Sequence, residues 1–134
     1  MKNAKKLFKL AVKARKKAHA PYSCFFVGSA LIDNKGNITV GCNIENASYG
    51  GTICAERTAI GQMVMEGGRF IREIAVVTDT PMGVAPCGIC RQSLLEFSDK
   101  KNPTVVYIAN LKKIVKITTI DQLLPDAFNG KFLK

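Results

Sequence analysis

Hydrophobic and polar positions follow two periods along this chain, one typical of helices and the other of strands. In residues 4–18 apolar side chains recur every three or four positions with lysines opposite, which predicts an amphipathic helix. Residues 25–32 and 37–42 flank a turn sequence at 33–36, and this arrangement predicts a β-hairpin. Residues 43–52 are polar and include two adjacent glycines, so they are predicted to form a loop.

Helical and extended patterns alternate in the second half of the chain, where β-branched apolar runs indicate buried strands. This order predicts an α/β fold in which a mixed sheet of about five strands lies between helices, as a three-layer helix–sheet–helix sandwich. The predicted elements are helices over residues 53–66, 87–97 and 121–124, and strands over residues 73–78, 104–109 and 114–118.

The composition indicates one globular domain that covers residues 1–134, because 47% of the 134 residues are hydrophobic. The five cysteines are odd in number and no apolar signal segment begins the chain. Free thiols in a reducing cytoplasm are therefore expected, rather than a secreted disulfide framework. No apolar run reaches membrane-spanning length, so no membrane partner is expected.

The formal net charge of +10 is concentrated in residues 1–17, which contain eight basic residues and no acidic one. A basic helix can be a solvated surface or a contact for nucleic acid. Tryptophan is absent, and no basic run is interleaved with aromatic residues that would stack on bases. The solvated helix is therefore the favoured interpretation, and no nucleic-acid partner is expected.

Three cysteines and one glutamate fall at the predicted starts of two helices, as Cys54-x-Glu56 and Cys87-x-x-Cys90. Thiolates are favoured at helix N-termini, and three of them suit zinc while leaving a fourth tetrahedral position for water. Glu56 would be close enough to move a proton on that water. The alternative is a closed structural zinc site, but one CxxC pair with a lone cysteine favours the open site.

Several short stretches along nearly the whole chain resemble the small, homotetrameric, zinc-dependent cytidine deaminases. The pattern C-x-E followed by P-C-x-x-C is typical of zinc nucleobase deaminases in their three-cysteine form. Each stretch alone is a weak signal, but together and in this order they are specific. The stretches are residues 20–23 with 25, 27 and 28, then 41–47, 54–59, 86–88 with 90–92, and 124–125 with 128.

The resemblance implies a fold of the cytidine deaminase type with one zinc ion per chain, bound by Cys54, Cys87 and Cys90. It also implies that Glu56 takes a proton from the attacking water, protonates ring nitrogen N3 and helps ammonia to leave. This role agrees with the general ability of a positioned carboxylate to act as base and acid in turn.

Two arginines are candidates for offsetting the charge of three thiolates, which would otherwise make the zinc a poorer Lewis acid. The resemblance implies that Arg57 donates a hydrogen bond to a thiolate. Arg91 is a weaker candidate for the same role. On the residues alone, a surface salt bridge is the alternative for Arg57.

The Asn43-x-Glu45 pair is a candidate ribose grip, because residues two apart on an extended segment point the same way. Turn polarity is the alternative, and the resemblance favours ribose binding. It also implies that Phe25 packs on the pyrimidine ring, although its pattern alone makes it a core candidate. Residues implied to contact substrate bound by a neighbouring subunit are Ala47, Tyr49 and Phe128.

The function implied by the resemblance is hydrolytic deamination of free cytidine and deoxycytidine to uridine and deoxyuridine, with release of ammonia, in pyrimidine salvage. A deaminase of bases within RNA or DNA is one alternative, which the basic helix favours and the Asn-x-Glu pair disfavours. A non-catalytic zinc module that contacts nucleic acid is another, and Glu56 beside an open ligand position argues against it.

Overall fold

A five-stranded mixed sheet with helices on both faces is the frame of the molecule, for which a computed structural model describes residues 2–133. The strand order is β2-β1-β3-β4-β5; β3 and β4 are parallel and the other neighbours are antiparallel. The elements are α1 (Ala4–Arg15), β1 (Val27–Asp33), β2 (Ile38–Cys42), α2 (Ala55–Met65), β3 (Ile71–Thr78), α3 (Gly88–Glu96), β4 (Val105–Ala109), β5 (Ile114–Thr119) and α4 (Ile120–Leu123), with 3₁₀ turns at Tyr49–Gly51 and Gly130–Leu133.

Two hydrophobic clusters lie on opposite faces of the sheet, because successive strand side chains point to opposite sides. Leu7 and Ala11 of α1 pack against Ala75 and Tyr107 on one face. On the other face, strand residues such as Ile74 pack against α2, α3 and α4. The predicted three-layer α/β sandwich with five strands is therefore confirmed.

Most predicted boundaries differ from the observed ones by one to three residues, and some of the differences have a clear cause. Helix α1 ends at Arg15 rather than at residue 18, and His19 beyond it pairs with Ile44 through backbone hydrogen bonds. Strand β1 begins at Val27 rather than at Phe25. The side-chain amide of Asn43 binds the backbone there. The 3₁₀ turn at Gly130–Leu133 had no counterpart in the sequence prediction.

Two glycines let helices approach the sheet closely. A Cβ atom on Gly28 would lie 2.0 Å from the carbonyl oxygen of Ala11, and one on Gly41 would lie 2.3 Å from that of Ala55. Real Cβ atoms do not approach a carbonyl oxygen so closely, so Gly41 is required for α2 to rest against β2 at its first turn.

One edge of the sheet collects the ends of several elements. The first residue of β1, Val27, lies opposite Thr78, the last residue of β3. Both residues line a cavity together with Cys54, which precedes α2, and Cys87, which precedes α3. The carboxyl end of a strand in an α/β sheet is where such folds place their sites. Within residues 2–133, no helix is long and apolar enough to cross a membrane.

Candidate active site

Three thiols meet where α2 and α3 begin. Cys54 and Cys87 are the N-cap residues of these helices, and neither side chain caps its helix by a hydrogen bond. Cys90 lies in the first turn of α3 and is fully buried. The three Sγ atoms all lie within 4.8 Å of one another. Cys54 and Cys87 are 33 residues apart in sequence, so it is the fold that brings the cluster together.

The spacing and chemistry of this cluster fit a zinc ion. Tetrahedral coordination with Zn–S bonds of about 2.3 Å separates the sulfur atoms by about 3.8 Å. The Sγ atoms of Cys54 and Cys87 are 3.8 Å apart. Soft thiolate ligands select zinc among the common divalent ions of proteins. Three sulfur donors leave one tetrahedral position open, as catalytic zinc sites do.

The three thiols do not ionise equally. The pKa of Cys54 is lowered to about 5, chiefly by a hydrogen bond from Cys90. Burial acts in the opposite direction, and Arg57 lowers the pKa further. The bond that Cys90 makes to Cys54, followed by burial, raises the pKa of Cys90 well above its usual range. Cys54 therefore takes the first negative charge. A bound divalent cation deprotonates coordinating thiols outright, so binding such an ion would remove this inequality.

Glu56 is a buried carboxyl group at the same cavity. It lies in the first turn of α2 and is 4% exposed. Burial, which opposes ionisation, raises the pKa of Glu56 to about 7. A carboxyl group with a pKa near neutrality can both accept and donate a proton at working pH, which is what general acid–base chemistry requires.

Two residues, one on β1 and one on β2, hold the start of α2 in place. Ser29 on β1 is fully buried and its hydroxyl donates to the carbonyl of Ala55 at 2.8 Å. The same carbonyl rests against Gly41 on β2. Cys54 and Glu56 flank Ala55, so these contacts fix both functional residues relative to the sheet. No local pattern in the sequence indicates this role of Ser29, because its partner is 26 residues away.

The two arginines differ in what they bind. Arg57 Nη2 lies 3.8 Å from Cys54 Sγ and 3.1 Å from the carbonyl oxygen of Thr52. Among the described residues, Arg57 Nε is the buried side-chain nitrogen or oxygen that has no hydrogen-bond partner. Arg91 instead donates to the carbonyls of Pro86 and Leu123, each at 2.7 Å. Arg57 is thus the arginine that lies beside a thiol of the cluster, whereas Arg91 anchors the turn before α3.

Asn43 is almost fully buried and binds the backbone that leads into β1. Its Oδ1 accepts from the amide of Val27 at 2.9 Å, and its Nδ2 donates to the carbonyl of Phe25 at 2.7 Å. A side-chain amide has two donor hydrogens and two acceptor lone pairs. One donor and one acceptor of Asn43 consequently remain for a ligand in the cavity that this residue lines.

Glu45 lines the same cavity and accepts hydrogen bonds from the turn that contains Tyr22 and Ser23. The two backbone amides donate to its Oε1 at 3.0 and 3.1 Å, and the Ser23 hydroxyl donates to its Oε2. These bonds, led by that of the Ser23 hydroxyl, hold the pKa of Glu45 below its ordinary value. A carboxylate has about four acceptor positions, so about one remains for a hydroxyl group of a ligand.

The remaining predicted contact residues fall into two groups. Phe25 is 41% exposed and lines the cavity, so it is not the core residue that its pattern alone allowed. Tyr49 is 77% exposed and lines an adjoining cavity that shares Ser23 and Glu45 with the first. Two predicted residues, Ala47 and Phe128, are absent from the described residues that line either cavity.

Comparison with known proteins places this fold and this site in one class. Residues 1–108 match the family model described as the zinc-binding region of cytidine and deoxycytidylate deaminases. The chain belongs to this family. The family is defined as zinc-binding, and the three-thiol cluster fits one ion per chain, in agreement with the predicted zinc cofactor.

Similar proteins within this family are named cytidine deaminases. A cytidine deaminase of Sporosarcina psychrophila is 47% identical over 98% of this chain and 95% of its own length. The crystal structure of cytidine deaminase from Burkholderia pseudomallei is 46% identical, with a TM-score of 0.87 over 92% of this chain and 98% of that one. Cytidine deaminase from Mycobacterium tuberculosis is 35% identical, with a TM-score of 0.80 over 93% of this chain and 96% of that one.

Proposed function

We propose that the protein is a zinc-dependent hydrolase that deaminates free cytidine and deoxycytidine to uridine and deoxyuridine, releasing ammonia, and that it serves pyrimidine salvage. The observation that carries the proposal is a buried carboxyl group, Glu56, at one cavity of about 360 Å³ with Cys54, Cys87, Asn43 and Glu45. That volume is in the range of small-molecule sites.

Cys54, Cys87 and Cys90 are proposed to hold the zinc ion, with Arg57 offsetting the charge of the Cys54 sulfur. Zinc held there would supply Lewis acidity, which favours ionisation of the attacking water near neutral pH. Glu56 accepts a proton from the attacking water and delivers it to ring nitrogen N3. It then carries the proton of the hydroxyl group added at C4 to the amino group, so that the C4–N bond breaks as the C4 carbonyl forms, water is consumed and ammonia is released.

Asn43 and Glu45 are proposed to hold the ribose, because each has hydrogen-bonding capacity left beside the cavity. Phe25, which is exposed at the cavity wall, is proposed to pack on the pyrimidine ring. Binding energy from the sugar would position the reacting ring, so free cytosine should be a poor substrate.

The charge of the cavity supports a nucleoside rather than a nucleotide or a polymer. Among the described residues, no lysine, arginine or histidine lines this cavity or the adjoining one. The carboxylate of Glu45, which is proposed to hold the ribose, would repel a phosphate group attached to that sugar. A deaminase of bases in RNA or DNA and a non-catalytic nucleic-acid module are therefore less well supported, and nucleic acid is not a proposed partner.

The test compares zinc-loaded wild type and Glu45→Gln on cytidine, cytidine monophosphate, cytosine and a cytosine-bearing oligonucleotide, followed by ultraviolet absorbance. Wild type should prefer cytidine. Glu45→Gln should keep its zinc and lose about one to two powers of ten in kcat/KM, since hydrogen bonds to a charged group are worth about 1.5–3 kcal/mol. Glu66→Gln, at an exposed residue after α2, is the matched control and should behave as wild type.

Efficient deamination within the oligonucleotide, together with unchanged cytidine kinetics for Glu45→Gln, would contradict this assignment. That result would instead support a deaminase that acts on bases within RNA or DNA.

The assembly is proposed to be a homotetramer of single-domain chains in the cytoplasm. Large apolar side chains are exposed on α3 and on the C-terminal tail, where Ile89, Phe128 and Phe132 are 62%, 55% and 61% exposed. Gln92 on α3 donates to the carbonyl of Phe128 at 2.9 Å, which ties this tail to the helix that carries Cys90. These side chains, with Ala47 and Tyr49, are proposed to meet a neighbouring subunit. Free thiols at all five cysteines support a reducing compartment.

A further inference from the structure

The turn before β1 is tied to the carboxylate of Glu45 by a serine that no comparison assigns. Ser23 contributes its amide and its hydroxyl to this carboxylate, and Tyr22 contributes its amide. The Ser23 hydroxyl also accepts a hydrogen bond from the amide of Phe25 at 3.0 Å. One oxygen atom therefore stands between the side chain proposed to bind ribose and the residue proposed to pack on the base.

This bridging role depends on the chemistry of a hydroxyl group. A hydroxyl has one donor hydrogen and two acceptor lone pairs, so it can donate to Glu45 and accept from Phe25 at the same time. An alanine can do neither, and a threonine can do both.

The turn has few other constraints that would fix Phe25. Cys24, between Ser23 and Phe25, has a φ of +57°, which lies in the left-handed region that residues other than glycine seldom adopt. The Phe25 ring is 41% exposed, so core packing does not fix it. Within the turn, Cys24 donates its amide to the carbonyl of Ala20 at 3.0 Å. The carbonyl of Phe25 is held by Asn43, and its amide is held by Ser23.

We propose that Ser23 is a positioning residue that couples the ribose-holding carboxylate of Glu45 to the base-packing ring of Phe25. This inference rests on the proposed function, because it takes the roles of those two residues from there. Ser23 acts through both neighbours, and its loss would loosen the sugar and the base contacts together.

The first measurement is the kinetics of Ser23→Ala on cytidine. One hydrogen bond to a carboxylate and one to an amide are lost, so kcat/KM should fall about tenfold or more. The loss should fall on KM, with kcat changed by less than about threefold, since ground-state positioning is uniform binding. The dissociation constant for uridine, measured by titration calorimetry, should rise by the same factor as KM. Zinc content should remain at the wild-type value.

Two variants separate this role from a general effect of losing a serine. Ser23→Thr keeps the hydroxyl and should restore kcat/KM to within about threefold of wild type, because both hydrogen bonds can form again. Ser98→Ala is the matched control, because the Ser98 hydroxyl also accepts from a backbone amide, that of Thr104 at 2.9 Å. Ser98 lies beside the start of β4, away from the cavity, so this variant should bind and turn over cytidine as wild type does.

A double-mutant cycle with Glu45→Ala tests the coupling itself. If Ser23 acts through Glu45, adding Ser23→Ala to Glu45→Ala should cost much less than it costs in the wild type. Equal costs in both backgrounds would show that Ser23 contacts substrate directly or is unrelated, and would overturn the proposal. Wild-type kinetics for Ser23→Ala would overturn it too, while leaving the deaminase function standing. No turnover of cytidine by zinc-loaded wild type would overturn the proposed function, and the role of Ser23 with it.

Discussion

At the scale of single residues, Glu56 is a carboxyl group that the fold buries next to the thiol cluster. Its pKa is raised to about 7 by burial. Burying a carboxyl group costs free energy unless it gains a hydrogen-bond or charge partner, and perturbed groups of this kind cluster at functional sites. We propose that its role is proton transfer beside the thiol cluster.

Replacing Glu56 by glutamine keeps the size of the side chain and removes its ability to move a proton. We expect Glu56→Gln to keep its zinc and its fold and to lose about 10²–10⁴-fold in kcat, or more if the carboxyl group serves several transfers. Single-turnover kinetics with metal analysis and circular dichroism provide the measurement. A variant within about tenfold of wild type would show that another group moves the protons.

The thiols predict a residue-scale contrast between two cysteines. Cys87→Ala should lose zinc and lower the midpoint of thermal unfolding, because the ion would tie the starts of α2 and α3 together. Cys42→Ala, at a half-buried thiol outside the cluster, should keep about one zinc per chain and serves as the control. Metal analysis by mass spectrometry decides the point. Full zinc content in Cys87→Ala would rule out the three-thiol site.

At the scale of helices and strands, the sequence predicted the elements well because their patterns are local. The lysine-rich stripe of α1, the hairpin of β1 and β2, and the apolar runs of β3 and β4 all depend on neighbours in sequence. The zinc pattern was predictable for the same reason, since each half of it lies within four residues.

What the sequence did not predict depends on contacts between distant residues. Strand β1 begins later than predicted because the side-chain amide of Asn43 donates a hydrogen bond to the carbonyl of Phe25, 18 residues away. The bond from Ser23 to Glu45 spans 22 residues, and it changes Glu45 from a free ligand group into one partly satisfied by the protein. A resemblance could name Asn43 and Glu45, but their remaining hydrogen-bonding capacity became countable only in the folded chain.

The packing of α2 on β2 predicts opposite effects for two glycines. Gly41→Ala would place a Cβ atom 2.3 Å from the Ala55 carbonyl, which forces the first turn of α2 to move. We expect it to lose about 1–3 kcal/mol of unfolding free energy, as overpacking typically costs, together with most cytidine turnover. Urea denaturation and steady-state kinetics provide the two measurements.

Gly61→Ala is the matched control, because nothing lies within 4 Å of a Cβ atom at that position in the same helix. Alanine is the better helix former by up to about 1 kcal/mol, so this variant should be as stable as wild type or more so, with unchanged activity. If Gly41→Ala matched it in both measurements, the close approach of α2 to β2 would not be what positions the site.

At the scale of the whole molecule, exposed aromatic rings form two pairs on the surface. Phe128 stacks on Phe132 with ring centroids 5.7 Å apart, and both remain more than half exposed. Tyr49 packs edge-on against Tyr22, with centroids 6.3 Å apart, and is also exposed. Paired aromatic rings left in water are typical of interface anchors. We therefore expect these aromatic residues to be covered by neighbouring chains.

Complementation between two defective chains tests whether Phe128 serves the site of a neighbour. Phe128→Ala keeps an intact Glu56, and Glu56→Gln keeps an intact Phe128; each alone should form an assembly with low activity. Co-expressed with different affinity tags and purified through both, mixed assemblies should recover activity, since some intact sites then receive Phe128 from the other chain. Light scattering checks that the assembly is a tetramer before and after mixing. Activity in the mixed assemblies no greater than that of Phe128→Ala alone would mean that Phe128 acts within its own chain or not at all.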